Sequence, residues 1–287
     1  MLAAVAQLTS GTCVLENLRV ATRIVERAAA AGAQVRVLSP TDGQAVFLPE
    51  ATDFIAPATQ AAALTRSPEC AQFVTGMRAA ARKHSVWISV GIHEPSDDPE
   101  RAFNTHLLID AAGDIRSSYR KLHLFDVDLQ GGPTILESRT TVPGSRIEPP
   151  TESPIGRIGL LTCYDMRFAE PALALRARGA QVLTYPSAFA VRTGGAHWET
   201  LLRARAIETQ SWVLAAAQVG AHPGSTRVSW GHALIVDPWG SVVAQCSDTP
   251  PFAATFCLAN IDLDAVATVR AEMPLWDQRR TDVYAEL

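Results

Sequence analysis

The chain has 287 residues, of which 47% are hydrophobic and 19% charged, and its formal net charge is -4. That composition buries a sizeable core and excludes a disordered chain, while positive residues scattered among acidic ones offer no basic face to nucleic acid. The opening MLAAVAQLTS lacks the basic flank of a leader peptide and no apolar run reaches the length of a membrane span. The expectation is a cytoplasmic protein, with a mitochondrial form left open, and neither nucleic acid nor membrane as partner.

In chain order, AAVAQL (3–8) predicts a strand, and Asn17 opens a helix with Val20, Ile24 and Ala28 on one face and Gly32 as its stop. The stretch QVRVLSPTDGQAV (34–46) contains SPTDG, whose Pro, Asp and Gly are turn chemistry and predict a surface excursion before the strand AVFLPE (45–50). A helix follows within 59–83, then the strand VWISVGI (86–92). NTHLLID and IRSSYRK flank AAGD (111–114) as a hairpin.

The second half repeats this style. RIGLLTC (157–163) predicts a strand, AEPALALRARG a helix closed by Gly179, QVLTYP a strand and AHWETLLRARAIETQ (196–210) a helix. SWVLAAAQV (211–219), HALIVD, SVVAQ and ATFCLANID predict four further strands before a short helix and a polar tail. Strands alternating with helices indicate an α/β fold, and two halves of similar order predict two sheets packed face to face with helices outside. No linker divides residues 1–287, which are expected to form one domain.

The five cysteines, Cys13, Cys70, Cys163, Cys246 and Cys257, are widely spread and contain no CxxC pair. The seven histidines show no HExxH spacing. Neither a disulfide framework nor a structural zinc site is expected, and no metal or cofactor is implied.

Four polar residues stand out because they sit where apolar strands end. Cys163 closes GLLTC, where backbone N–H groups and a following helix favour thiolate and can receive an oxyanion; a buried structural thiol is the alternative. Glu50 ends VFLPE, either as a buried acid with a task or as a helix cap. Lys121, in YRKLHLFDVD, is by itself an ordinary lysine, but beside these two it supplies a fixed cation. Glu137, on the Gly/Pro-bounded loop GPTILES, is a second acid.

With these residues in view, the chain resembles the nitrilase superfamily of carbon-nitrogen hydrolases. Its three motifs stand in order as FLPEATDFI, YRKLHLFDVD and LLTCYDMRFAE, and the likeness continues through YPSAF, GAHWETLLRARAIETQ, WGHALIVDPWG and MPLWDQRRTDVY. LFDVD, YPSAF, LLRARAIETQ and PLWDQRR are similar to the branch that hydrolyses small keto-acid amides, deaminated glutathione before α-ketoglutaramate. The resemblance implies a four-layer α-β-β-α sandwich of the nitrilase type that pairs into a homodimer or larger homo-oligomer. It also implies the roles: Glu50 as general base, Cys163 as nucleophile, Lys121 as oxyanion stabiliser, Glu137 as supporting acid, and the backbone N–H of Tyr164 as second oxyanion donor.

Two departures from the family pattern follow. Phe168-Ala169-Glu170-Pro171 stands where Phe-Pro-Glu is common, leaving proline near the first helical turn, where it is tolerated. The SPTDG insertion precedes Glu50, and a shift of that base by about an ångström costs roughly a hundredfold in rate. An acidic amide substrate calls for cations: Arg167, His197, Arg192 and Arg227 are candidates, with a structural ion pair beneath the cysteine as the alternative for Arg167. Arg203 and Arg205 are expected in helix or subunit contacts. Phe189, Tyr164, Phe125 and Trp198 are candidates for the pocket mouth against core or interface packing, and Trp239 reads as a turn residue packed between strands. An omega-amidase, or a catalytically silent interaction protein of the same fold, are the competing readings.

Overall fold

A computed structural model describes residues 1–35, 43–128, 134–250 and 252–284. The first half contains β1 (Leu2–Leu8), α1 (Val14–Val35), β2 (Gln44–Phe47), α2 (Ala58–Leu64), α3 (Pro68–His84), β3 (Trp87–Pro95), β4 (Ala102–Ile109) and β5 (Ile115–Arg120). Three short strands follow, β6 (Asp126–Asp128), β7 (Thr134–Leu136) and β8 (Thr141–Val142). The second half contains β9 (Thr151–Ser153), β10 (Gly156–Leu160), α4 (Ala169–Ala177), β11 (Val182–Thr184), α5 (Val191–Thr209) and β12 (Trp212–Ala215). Last come β13 (Ala217–Ala221), β14 (Val228–Trp230), β15 (Leu234–Val236), β16 (Val242–Gln245), β17 (Thr255–Asn260) and α6 (Leu263–Glu272).

The first sheet runs β14-β13-β1-β2-β3-β4-β5, with β17 also paired to β1 and β8 to β4; the second runs β16-β15-β12-β11-β10-β9. β1, β2 and β3 are mutually parallel, as are β10, β11 and β12. Strand periodicity then builds the layers, because successive side chains face opposite ways. Ala3 and Val5 of β1 join the core shared with Ile158, Leu160 and Val182 of the second sheet. Ala4, Ala6 and Leu8 turn instead to Ile24, Val25 and Ala28 of α1 and to Phe73 and Met77 of α3. Leu175 of α4 and Trp198 and Leu202 of α5 belong to the core of the second sheet. The α-β-β-α sandwich expected from the sequence is the observed architecture.

Three local expectations are corrected. Gly32 does not stop α1, which continues to Val35. Its missing Cβ instead leaves room for the Gln44 side chain, whose Nε2 donates to Ala28 O at 2.6 Å, so that glycine serves close approach within the helix. Asn17 does not cap this helix. It lies in the first turn, buried, and bonds Gly11 N, Gly11 O and Asp53 O, tying the β1–α1 loop to the loop after β2. SWVLAAAQV is two strands, since Ala215 of β12 pairs with Leu234 in the second sheet while Ala217 of β13 pairs with Gln7 in the first. An apolar run buried throughout carries no turn residue to mark that crossing at Ala216. The predicted excursion SPTDG lies, apart from Gly43, outside the described residues.

Candidate active site

Both sheets deliver the polar residues from segments that follow their strands: Glu50 after the parallel strand β2, Lys121 after the antiparallel strand β5 and Cys163 after the parallel strand β10, with Glu137 opening a 3-10 turn after β7. Glu50 follows β2 in a tight turn packed on Gly91 of β3, whose N–H donates to Pro49 O at 3.1 Å and whose carbonyl accepts from Thr52 N at 2.8 Å. A Cβ at Gly91 would meet Glu50 Cα at 2.5 Å, so only glycine lets the acid's backbone sit there. Lys121 follows β5 directly, and Cys163 follows β10 after a short link.

These residues converge. Lys121 Nζ donates to Glu50 Oε1 at 3.0 Å and to both oxygens of Glu137, at 3.0 and 2.9 Å. Lys121 is 2% exposed and Glu50 4%, which rules out the alternatives of a solvated lysine and of a surface acid. Glu50 Oε2 accepts from the backbone N–H of Ala188 at 3.0 Å, and Glu137 Oε2 accepts from Phe125 N at 2.6 Å. Each carboxylate is thus pinned by a cation and a backbone donor, the arrangement that makes a buried charge tolerable.

Burial alone would push the Glu50 carboxyl up, but the Lys121 ammonium and the Arg227 guanidinium, with hydrogen bonds from Cys163 and Lys121, hold it far below the usual carboxylate range. Burial would likewise lower Lys121, and Glu137 and Glu50 outweigh it and keep the ammonium charged. At Cys163, burial and the Glu50 charge push the thiol up against the opposing pull of Lys121. The resting pair is therefore neutral thiol beside ionised carboxylate. That state suits the role of general base implied for Glu50, and the pull toward thiolate expected of a helix start is outweighed. Cys163 begins a 3-10 turn, Cys163–Arg167, and the first helix behind it starts only at Ala169.

Cys163 has φ 45°, a left-handed conformation that costs a residue with a side chain. Asp165, fully buried, holds that elbow. Its carboxylate accepts from Tyr119 OH at 2.7 Å and Thr162 N at 2.9 Å, and pairs with His123 Nδ1 at 2.7 Å. His123 N donates to the same carboxylate at 3.1 Å. From behind, buried Arg205 donates to Met166 O at 3.0 Å and pairs with Glu208, and Arg203 donates to Gly240 O, as expected for helix contacts. Pro171 sits in the first turn of α4, where its lack of an N–H costs nothing.

Arg167 makes no ion pair among the described residues; the acid under the elbow is Asp165. Arg167 Nη1 lies 3.1 Å from His197 Nδ1, and its guanidinium carbon lies 5.5 Å from the rings of both Tyr164 and Phe189. Phe125 meets Tyr164 edge-on at 5.0 Å. Arg227 donates to Ala188 O at 2.6 Å, on the peptide unit next to the one that donates to Glu50. Arg192 is exposed and joins none of these groups. Trp198 is core rather than mouth, 1% exposed with Nε1 donating to His232 O at 2.7 Å. Trp239 is in a turn, as expected, but exposed rather than packed, its N–H held by Asp237 Oδ1.

Sequence reasoning missed Asp165, Asn104 and His123. Asp165 lay within the quoted CYDMR, two residues after the nucleophile candidate, where a carboxylate on a buried elbow needs several donors. Asn104 opens NTHLLID as a polar residue on a strand buried on both faces, a signal that names no partner. Among the described residues no group of three or more His, Cys, Asp or Glu side chains is placed to hold a metal ion. All five cysteines are free, and no described helix is long and apolar enough to cross a membrane.

Comparison with known proteins meets this geometry from outside. The family model Carbon-nitrogen hydrolase matches residues 2–271. The probable hydrolase nit2 of Schizosaccharomyces pombe is 46% identical over 286 residues, covering 99% of this chain and 98% of the relative. Deaminated glutathione amidase of Mus musculus is 44% identical over 290 residues, covering 100% of this chain and 85% of the relative. The crystal structure of the Caenorhabditis elegans NitFhit protein superposes with a TM-score of 0.89 at 44% identity, covering 99% of this chain and 66% of that one. The sandwich, the convergence of strand ends and these likenesses agree, and the chain belongs to the carbon-nitrogen hydrolase family.

Proposed function

We propose that the chain is an amidase that cleaves a small keto-acid amide, deaminated glutathione above others, through a thioester on Cys163. One observation carries the chemistry: buried Glu50 shares the Lys121 ammonium with Glu137 and accepts the Ala188 N–H, and that held charge, with burial, pushes the Cys163 thiol up. As Cys163 Sγ attacks the amide carbon, its proton passes to Glu50, and oxygen of the amide gains negative charge. Lys121 Nζ and the Tyr164 backbone N–H are the donors for that oxygen. Glu50 then returns the proton to the departing amine, the C–N bond breaks, and an acyl thioester remains. Water, deprotonated by Glu50, releases the acid and regenerates the thiol. Glu137 fixes Lys121 with both of its oxygens, so the ammonium stays in place while charge develops.

The substrate assignment rests on charge and likeness together. Arg167, over the Tyr164 ring and bonded to His197, and Arg227, beside Glu50, are the cations near the site and are suited to a carboxylated substrate, while Phe189 packs inward against Trp198. The likeness to amidases of deaminated glutathione favours that compound. α-Ketoglutaramate would give the same α-ketoglutaryl thioester and differs only in releasing ammonia instead of cysteinylglycine, so discrimination falls on the leaving-group side of the mouth. Contributions to one site from both sheets support one carbon-nitrogen hydrolase domain over residues 1–287. Ile207 of α5 and Trp239, both exposed, with Ile207 against the adjoining Gly240, support a homodimer through that face. A cytoplasmic location accords with free thiols throughout.

The test compares hydrolysis of deaminated glutathione, α-ketoglutaramate and an uncharged amide by wild type, Cys163→Ala and Glu50→Gln. Fastest turnover of deaminated glutathione, with both variants slowed at least about a thousandfold, supports the reading. Variants within about tenfold of wild type would sink the mechanism, and preference for the uncharged amide would sink the substrate class.

A further inference from the structure

Asn104, in β4 and 5% exposed, touches three of the four proposed catalytic residues. Its Nδ2 lies 2.6 Å from Glu50 Oε1 and 3.3 Å from Glu137 Oε1, and its backbone carbonyl accepts from Lys121 N at 2.9 Å. Carboxylates only accept, so the end of the amide facing them is the NH2 group. The other end, Oδ1, is buried and has no donor among the described residues. A side chain kept for packing would not bear that unpaired oxygen, which is costly to bury.

We propose that Asn104 is the positioning residue of the base. Glu50 Oε1 receives two donors, Lys121 and Asn104, while Oε2 receives the Ala188 N–H. Three donors from three directions fix the carboxylate plane and leave a lone pair on Oε2 for the Cys163 proton. Lys121 alone cannot do this, because it is shared with both oxygens of Glu137 and gives Glu50 a single hydrogen bond, about which the carboxylate can turn. Asn104 also spans the two acids, so it holds Glu50 and Glu137 in one relation to the ammonium between them. The inference rests on Glu50 being the base.

The experiment records deaminated glutathione hydrolysis, and alkylation of Cys163 by iodoacetamide as a substrate-free readout, over about pH 4 to 9. It uses the full chain as wild type, Asn104→Leu, Asn104→Asp and Glu50→Gln, with thermal melting alongside. Loss of one hydrogen bond to a charged group predicts a fall in kcat/KM at neutral pH of about 10- to 100-fold, with KM within about twofold. Wild type, whose Glu50 is held at about 2, shows no acid limb in this window, and in Asn104→Leu the limb of both readouts moves toward neutrality and enters it. It moves further in Asn104→Asp, where a third carboxylate crowds one lysine. A purely structural role would lower the melting temperature and leave the limb in place. If Asn104→Leu does not fold, Asn104→Asp, of the same shape, decides. A folded variant with an unmoved limb and a rate within about threefold of wild type overturns the proposal. Should Glu50→Gln itself keep the rate, the base reading fails too; if Glu50→Gln is inactive while the Asn104 variants match wild type, only this inference fails.

Discussion

Replacing Lys121 by methionine should invert the way acid affects the stability of this fold. In the wild type, Glu50 Oε1 and Glu137 Oε1 each lie 3.0 Å from one ammonium nitrogen, so these oxygens are about 6 Å apart or less. At that spacing and an effective dielectric of about 20, two unscreened carboxylates repel by about 3 kcal/mol. Removing one partner from a buried ionic cluster costs about 3–5 kcal/mol overall. Glu50 is held below its ordinary value of 4.5, so its contribution to stability is present in full above that value and is lost as pH falls toward 2. In Lys121→Met, burial is no longer opposed by the ammonium, and the Glu50 value rises above that of the unfolded chain. Its ionisation then costs stability as pH rises through about 4.5. Denaturant unfolding of both proteins at about pH 5 and about pH 7.5 should give a deficit of about 3–5 kcal/mol at the higher pH and a smaller one at the lower. A deficit below about 1 kcal/mol, or one that does not depend on pH, would refute the reasoning.

Gly91→Ala places a Cβ against Glu50 Cα and Pro49 O, at 2.5 and 2.8 Å, and the backbone of the base must give way. The expected result is a fall in kcat of about a hundredfold, larger than the loss of about 1–3 kcal/mol in stability alone would cause, read from kinetics and melting together. Asp165→Asn removes the charge that orders Tyr119, Thr162 and His123 around the strained Cys163, and should destabilise by about 2–4 kcal/mol in denaturant unfolding while slowing acylation. Arg167→Gln should raise KM for deaminated glutathione about tenfold and leave an uncharged amide unaffected; equal effects on both would place Arg167 in packing alone.

The layered fold was legible because its signals are periodic and local. Alternation in β1 splits Ala3 and Val5 from Ala4, Ala6 and Leu8, and the two periods place helices and strands in alternation. The crossing at Ala216 was not legible, since uniformly apolar residues satisfy either sheet. Glu50, Lys121 and Cys163 stand out where apolar strands end and Glu137 on a loop, but singly each signal is weak, and it was the resemblance of three ordered motifs to a known family that joined them into one site. The protonation state of Cys163 was not legible from its own stretch of chain, only from the general-base role that the resemblance implies for Glu50. Local sequence suggests a thiolate, whereas the neighbouring Glu50 carboxylate, 113 positions earlier in the chain, reverses it. Asn104 and Asp165 share that difficulty: their partners come from other strands, and only assembly of the sheets brings them together.

The central claim is a covalent acyl group on Cys163 formed with Glu50 as base. Rapid acid quench of the enzyme during turnover of deaminated glutathione, followed by intact-protein and peptide mass spectrometry, tests it directly. The account predicts one α-ketoglutaryl group per chain on the peptide carrying Cys163, and none on Cys163→Ala. Turnover without an adduct on trapping, or an adduct on Cys13, Cys70, Cys246 or Cys257 instead, would contradict it.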